Sequence, residues 1–203
     1  MNSAATNPVE ANKSHTIPWA ERPPSEIIAF ILRRYHAPLH RDLPALLASA
    51  RMVEEETRGE SLSPAGIGEH LEQILLAVEN HLAKEEKILF PLILAGRGRA
   101  AFMPIKVMMA EHADHVANLA RTRVLTHDFQ LPERVGSLPA SPAAHHRGRV
   151  WEPSQGSHID DAAPAWRALY LDLRRLEADL NQHIELENNV LFTRVMGGDS
   201  DGL

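Results

Sequence analysis

The 203-residue chain has no cysteine. Disulfides, thiolate zinc sites, thiolate-held iron–sulfur clusters and cysteine nucleophiles are therefore excluded together, and any metal must be held by nitrogen and oxygen. Aromatic residues make up only 5%, so the core must come from Leu, Ile, Val, Ala and Met. Runs of β-branched residues are scarce, which favours an all-α protein. The longest strongly apolar run, Ile27 to Leu32, is far short of the roughly 20 residues a membrane span needs, so no membrane partner is expected. Residues 1–15 contain no apolar stretch like that of a signal peptide, and the expected location is the cytoplasm. Basic residues are in the minority, 21 against 27 acidic ones, for a formal charge of −6 and a pI of about 6.0. No basic stripe marks a nucleic-acid surface, so no nucleic-acid partner is expected.

What the chain does have is 44% apolar residues and twelve histidines. Residues 1–23 are polar and read as a flexible arm, with Trp19 as its one candidate contact with the domain. Residues 24–198 read as one domain and 199–203 as a tail. Four segments carry helical periodicity. The first, about 25–57, has a stripe through Ile28, Ile31, Tyr35, His36, Leu39, Leu43, Leu46, Ala50 and Val53, with a kink expected at Pro38 or Pro44. The second opens at Ser63-Pro64, a cap followed by proline, and runs through Leu71, Ile74, Val78, His81, Glu85 and Leu89 to about Gly96. The third, about 103–127, carries Ile105, Met108, His112, Val116 and Leu119. The fourth, about 162–196, carries Leu169, Leu173, Leu176, Leu180, His183, Glu187 and Leu191. This alternation of threes and fours predicts an up-down four-helix bundle. Between the last two helices, residues 128–160 hold Pro132, Pro139, Pro142 and Pro153 and show no period. They read as a disordered insert.

Two of the helices share a motif. His81–Phe90 and His183–Phe192 both read H-x-x-x-E-x-x-x-L-F. Residues four apart lie on one helical face, roughly 6 Å along the axis, so a His and a Glu so placed reach the same small site. His81, Glu85, His183 and Glu187 fall on the apolar stripes. A buried, unpaired carboxylate would cost several kcal/mol or take up a proton, and no Lys or Arg shares those stripes nearby. A pair of metal ions supplies the missing charge. With four alternating helices rising about 1.5 Å per residue, His36, His81, Glu85, His112, His183 and Glu187 all fall in a layer roughly 14–21 Å from one end. His40 is the closest rival, since His36-x-x-x-His40 also has ligand spacing. His40, His70, His115, His127, His145, His146 and His158 read as surface or edge residues. Mixed imidazole and carboxylate suits iron better than zinc, magnesium or calcium. The ferritin-like Glu-x-x-His pattern is absent, because no histidine has a glutamate three residues before it.

The segments Arg34–Leu39 (RYHAPL), His81–Pro91 (HLAKEEKILFP), Met109–His115 (MAEHADH) and His183–Phe192 (HIELENNVLF) resemble the repair-of-iron-centres family of di-iron hemerythrin-like proteins, which are linked to nitric oxide and oxidative stress. The resemblance covers most of 25–127 and 162–196. It implies a hemerythrin-like bundle holding two iron ions as an oxo-bridged centre, with the family's six ligands at His36, His81, Glu85, His112, His183 and Glu187 and both glutamates as bridges. It implies a role in repairing, or supplying iron to, stress-damaged iron–sulfur proteins. The alternative is capture of nitric oxide or dioxygen without repair, and a third reading is a metal that only stabilises the bundle. Family members often carry an extra N-terminal domain with a cysteine pair, which has no counterpart here. Many also have Pro where this chain has Thr193, and their insert is shorter.

Overall fold

A computed structural model describes residues 18–133 and 158–198. Among them, four long helices run alternately up and down. α1 is built of Pro24–Ile31, a π-helical turn over Leu32–His36, and Ala37–Glu56. α2 is built of Ile67–Lys84, a π turn over Glu85–Leu89, and Phe90–Leu94. α3 is the uninterrupted helix Gly98–Leu125, and α4 is His158–Leu186, a π turn over Glu187–Phe192, and Thr193–Gly197. The start of α1 packs on the end of α2, and the second half of α1 packs on the first parts of α2 and α4, which fixes the antiparallel order. None of the described helices is long and apolar enough to cross a membrane.

α1 continues through Pro38 and Pro44 without stopping. The irregularity is the π turn before Pro38, where Ala37 N–H reaches back to the carbonyl of Leu32. The residue that follows, Pro38, has no N–H and so cannot resume the ordinary ladder at once. α2 repeats the device, with Phe90 N–H on the carbonyl of Glu85 and Pro91 next. In α4 the residue in Pro91's place is Thr193, whose hydroxyl donates to the carbonyl of Asn188 at 2.8 Å. A π turn adds a residue and shifts the phase of the helix, so Leu89 is buried and Ile88 lies outside.

The start of α2 also differs from expectation. Helix begins at Ile67, not at Ser63-Pro64, and its N-cap is Gly66 at φ +84°, a conformation glycine adopts without strain. The cap comes from across the molecule: Gly66 and Gly68 amides donate to the two oxygens of Glu54 on α1, at 2.7 and 2.9 Å. A Cβ on Gly68 would lie 2.8 Å from Arg51 Cγ and 2.9 Å from Glu54 Oε2, so a side chain there would displace Arg51 and the capping carboxylate.

Residues 18–23, read as part of the arm, have a defined place. Trp19–Glu21 form a 3-10 turn, and the Trp19 ring lies 4.4 Å from that of Phe30. At the insert's edges, Phe129 is buried and α4 already begins at His158. Residues 134–157, with His145 and His146, and residues 1–17 and 199–203 lie outside the described residues.

The buried apolar side chains fall into two clusters. One, toward the start of α1, contains Ile27, Ile31, Phe90, Ile105 and Phe192. The other contains Leu43, Val53, Leu71, Ile74, Trp166 and Leu173. The polar layer described next lies between them.

Candidate metal centre

All six residues singled out from the sequence meet in that layer. His36, His81, Glu85, His112, His183 and Glu187 are buried, and both glutamates are 0% exposed. Three of the four helices present them through or beside a π turn, while His112 comes from regular α3. They form two overlapping sets. His81, Glu85, His112 and Glu187 bring candidate ligand atoms within 4.8 Å of one another, and so do His36, Glu85, His183 and Glu187. Each set has two imidazoles of its own, and the two carboxylates are common to both.

The hydrogen bonds on the outer side of the rings show which nitrogens face inward. His36 Nδ1 donates to Glu86 Oε1, His81 Nδ1 to Glu111 Oε2 and His112 Nδ1 to Asn188 Oδ1, each at 2.9 Å. Donation from Nδ1 leaves the neutral ring with a bare lone pair at Nε2. Yet His81 Nε2 and His112 Nε2 face each other at 3.1 Å, and His36 Nε2 faces His183 Nε2 at 3.3 Å. At the first pair two lone pairs so close repel unless a cation lies between or beside them; at the second, His183 Nε2 donates to Glu187 Oε1 at 3.0 Å, because its Nδ1 has no acceptor. Neither oxygen of Glu85 has a hydrogen-bond donor, nor has Glu187 Oε2. His36 Nε2 and His81 Nε2 approach Glu85 Oε2 to 3.4 and 3.5 Å, but without hydrogen-bond alignment. The donor set therefore fits a pair of cations well: four inward Nε2 atoms, three of them with a bare lone pair, two carboxylates and no ammonium or guanidinium ion paired with either carboxylate among the described residues.

Protonation follows the same logic. Burial, reinforced by the neighbouring Glu187 carboxylate, pushes Glu85 up to about 7. Burial would also raise Glu187, but His183 and His112 outweigh it and hold this carboxyl well below the usual range. Burial opposes charge on His36 and His112, yet the buried carboxylates prevail and raise both, whereas at His81 burial wins and lowers it. Without metal, only part of this cluster can be ionised at once.

Several neighbours were not legible in the sequence. Glu86, Glu111 and Asn188 orient ligand-type rings, and Tyr35 stacks on His183 at 5.0 Å and 10°. His70 and His115, read as surface or edge residues, are buried. His70 Nε2 donates to the carbonyl of Asn118 at 2.9 Å, while neither nitrogen of His115 has a partner. Both belong to the seam between α2 and α3. The stripe drawn by apolarity took Val116, which is 45% exposed, where the helix turns His115 inward. His40 remains outside the two sets, bonded to Glu79 and Glu86 at 3.0 and 3.3 Å.

Known proteins supply the remaining context. Residues 28–195 match the family model described as the hemerythrin HHE cation-binding domain. The chain is similar to the iron-sulfur cluster repair protein YtfE of Musicola paradisiaca, with 34% identity over 90% of this chain and 70% of that protein. The YtfE protein of Edwardsiella ictaluri is 36% identical over 88% of this chain and 69% of its own length. That of Pectobacterium carotovorum is 33% identical over 93% and 73%. A match across nearly the whole bundle, with a buried histidine–glutamate cluster at its centre, places the chain in the hemerythrin HHE cation-binding family, together with these repair proteins.

Proposed function

We infer that His36, His81, Glu85, His112, His183 and Glu187 hold two iron ions, and that the protein supplies iron to damaged iron–sulfur proteins. One observation carries this reading: two pairs of inward Nε2 atoms, 3.1 and 3.3 Å apart, share two buried carboxylates that have no ammonium or guanidinium partner among the described residues. His81 and His112 would hold one ion and His36 and His183 the other, with Glu85 and Glu187 common to both. Imidazole with carboxylate suits iron, and two shared carboxylates suit a pair. When bound, the pair supplies iron that changes oxidation state and leaves more readily as the ferrous ion. The chain's own residues do the rest. Glu86, Glu111 and Asn188 hold three rings by their outer nitrogens, while Phe90 and Phe192 lie 5.6 and 5.9 Å from His36 and His112 and exclude water on that side. The repair role of the similar YtfE proteins supports iron–sulfur proteins as the recipients. With no cysteine, the chain has no thiolate on which to carry a cluster, so repair would proceed through iron alone.

The test mixes reduced, iron-loaded protein with an iron–sulfur enzyme stripped of iron, together with sulfide, a thiol and an external ferrous chelator that absorbs leaked iron. Reactivation of the enzyme is the expected result. A target that stays inactive while the protein keeps both irons and consumes nitric oxide would replace this reading with nitric oxide capture.

A further inference from the structure

The two sets share their carboxylates but not their surroundings. Around His81 and His112, both rings are anchored, one by Glu111 and the other by Asn188. Glu111 in turn accepts from Lys84 Nζ, so an ammonium ion stands on the way out. Around His36 and His183 the situation is reversed. His36 is anchored by Glu86, but His183 Nδ1 is buried without a hydrogen-bond partner, so on its outer side the ring has only the stacking on Tyr35, its inner Nε2 being bonded to Glu187 Oε1 at 3.0 Å. Among the described residues, Glu86 and Glu79 pair with histidines and with no lysine or arginine. The Glu86 oxygen bonded to His36 also meets His40 Nε2, and His40 Nδ1 meets Glu79 Oε1. Exposure rises outward along this file, from 1% at the His36 side chain to 33% at Glu86, 39% at His40 and 43% at Glu79. Carboxylate, imidazole and carboxylate are all ligands for a ferrous ion, and together they draw a cation where Lys84 repels one.

We propose that the two iron positions are unequal: iron between His36 and His183 is the exchangeable cargo, and it passes to solvent along Glu86, His40 and Glu79, while iron between His81 and His112 stays behind. This proposal rests on the iron-supply reading and names which ion is supplied. A ring without an outer anchor gives up metal more readily, typically by about ten-fold or more in affinity.

The experiment follows release from anaerobic protein loaded with two ferrous ions, by stopped-flow mixing with excess ferrozine. Two phases of equal amplitude are expected, the faster by about ten-fold or more. His40→Ala and Glu79→Gln should slow the fast phase several-fold and leave the slow phase alone, and Lys84→Met should alter the slow phase only. Crystals of protein arrested after the fast phase should show anomalous iron density between His81 and His112 and none between His36 and His183. One phase for both ions, residual iron at His36 and His183, or a fast phase that answers to Lys84 instead of His40 would overturn the proposal. Its failure is separate from that of the iron-supply reading. A target reactivated by iron leaving in a single phase keeps the supply role and removes the inequality, and two-phase release that never reactivates a target does the reverse.

Discussion

Replacing Glu85 with Gln pits the demands of metal binding against those of folding. Gln has the shape of Glu but no charge. In the metal-free protein the Glu85 carboxyl is fully buried, lacks any donor, and is pushed from 4.5 to about 7. An acid whose value is raised on folding leaves stability intact below its unfolded value and costs stability as pH rises toward the folded one. The penalty thus begins near pH 4.5 and is complete just above 7. Its size is about 3 kcal/mol, at roughly 1.4 kcal/mol per pH unit. Metal-free Glu85→Gln should therefore match the parent near pH 4.5 and exceed its stability by up to about 3 kcal/mol at pH 8. With iron present the order should reverse, because the variant loses a shared ligand and binding energy is folding energy. Urea unfolding at both pH values, with chelator and then with ferrous iron, reads all four numbers. A metal-free variant no more stable than the parent at pH 8 would refute the reasoning, since Glu85 would then have a partner that the structure does not show.

Other outcomes follow from neighbouring residues. Glu54→Ala removes the cap from Gly66 and Gly68 and should cost about 1 kcal/mol in urea unfolding, with no change in iron content. His115 is buried without a partner, and burial, assisted by His112, lowers it to about 4. Its contribution is present above about 6.5 and lost as pH falls toward 4, so His115→Leu should make the metal-free protein less acid-sensitive across that window, as read by circular dichroism. Asn188→Ala frees His112 Nδ1 and should weaken iron binding by about ten-fold or more in competition with a chelator, while saturated protein still holds both ions.

How much of this was legible depended on which part of the structure each residue answers to. His81 with Glu85 and His183 with Glu187 declared themselves because i,i+4 spacing on a helix fixes relative position without any tertiary knowledge. The apolar stripes then placed the pairs inside, and the heights of His36 and His112 brought them into the same layer. His115 was missed because apolarity favours Val116 at the neighbouring position, and only the packing of α2 on α3 turns the imidazole inward. The π turns have no local signature beyond Pro38 and Pro91, and Thr193 in the third replaces even that cue with a hydroxyl. Glu54 lies twelve residues from the amide of Gly66 that it caps, too far for a capping motif. Glu86 and Glu111 read as solvated charges because their partners are ring nitrogens on other helices.

The central claim is that these six side chains hold two irons. Crystals of iron-reconstituted protein, measured on either side of the iron absorption edge, test it most directly. The account predicts two anomalous peaks per chain, one between His81 and His112 and one between His36 and His183, both beside Glu85 and Glu187. A single peak that persists below the iron edge, or iron bound by His40 or His115 with the buried glutamates left free, would contradict it.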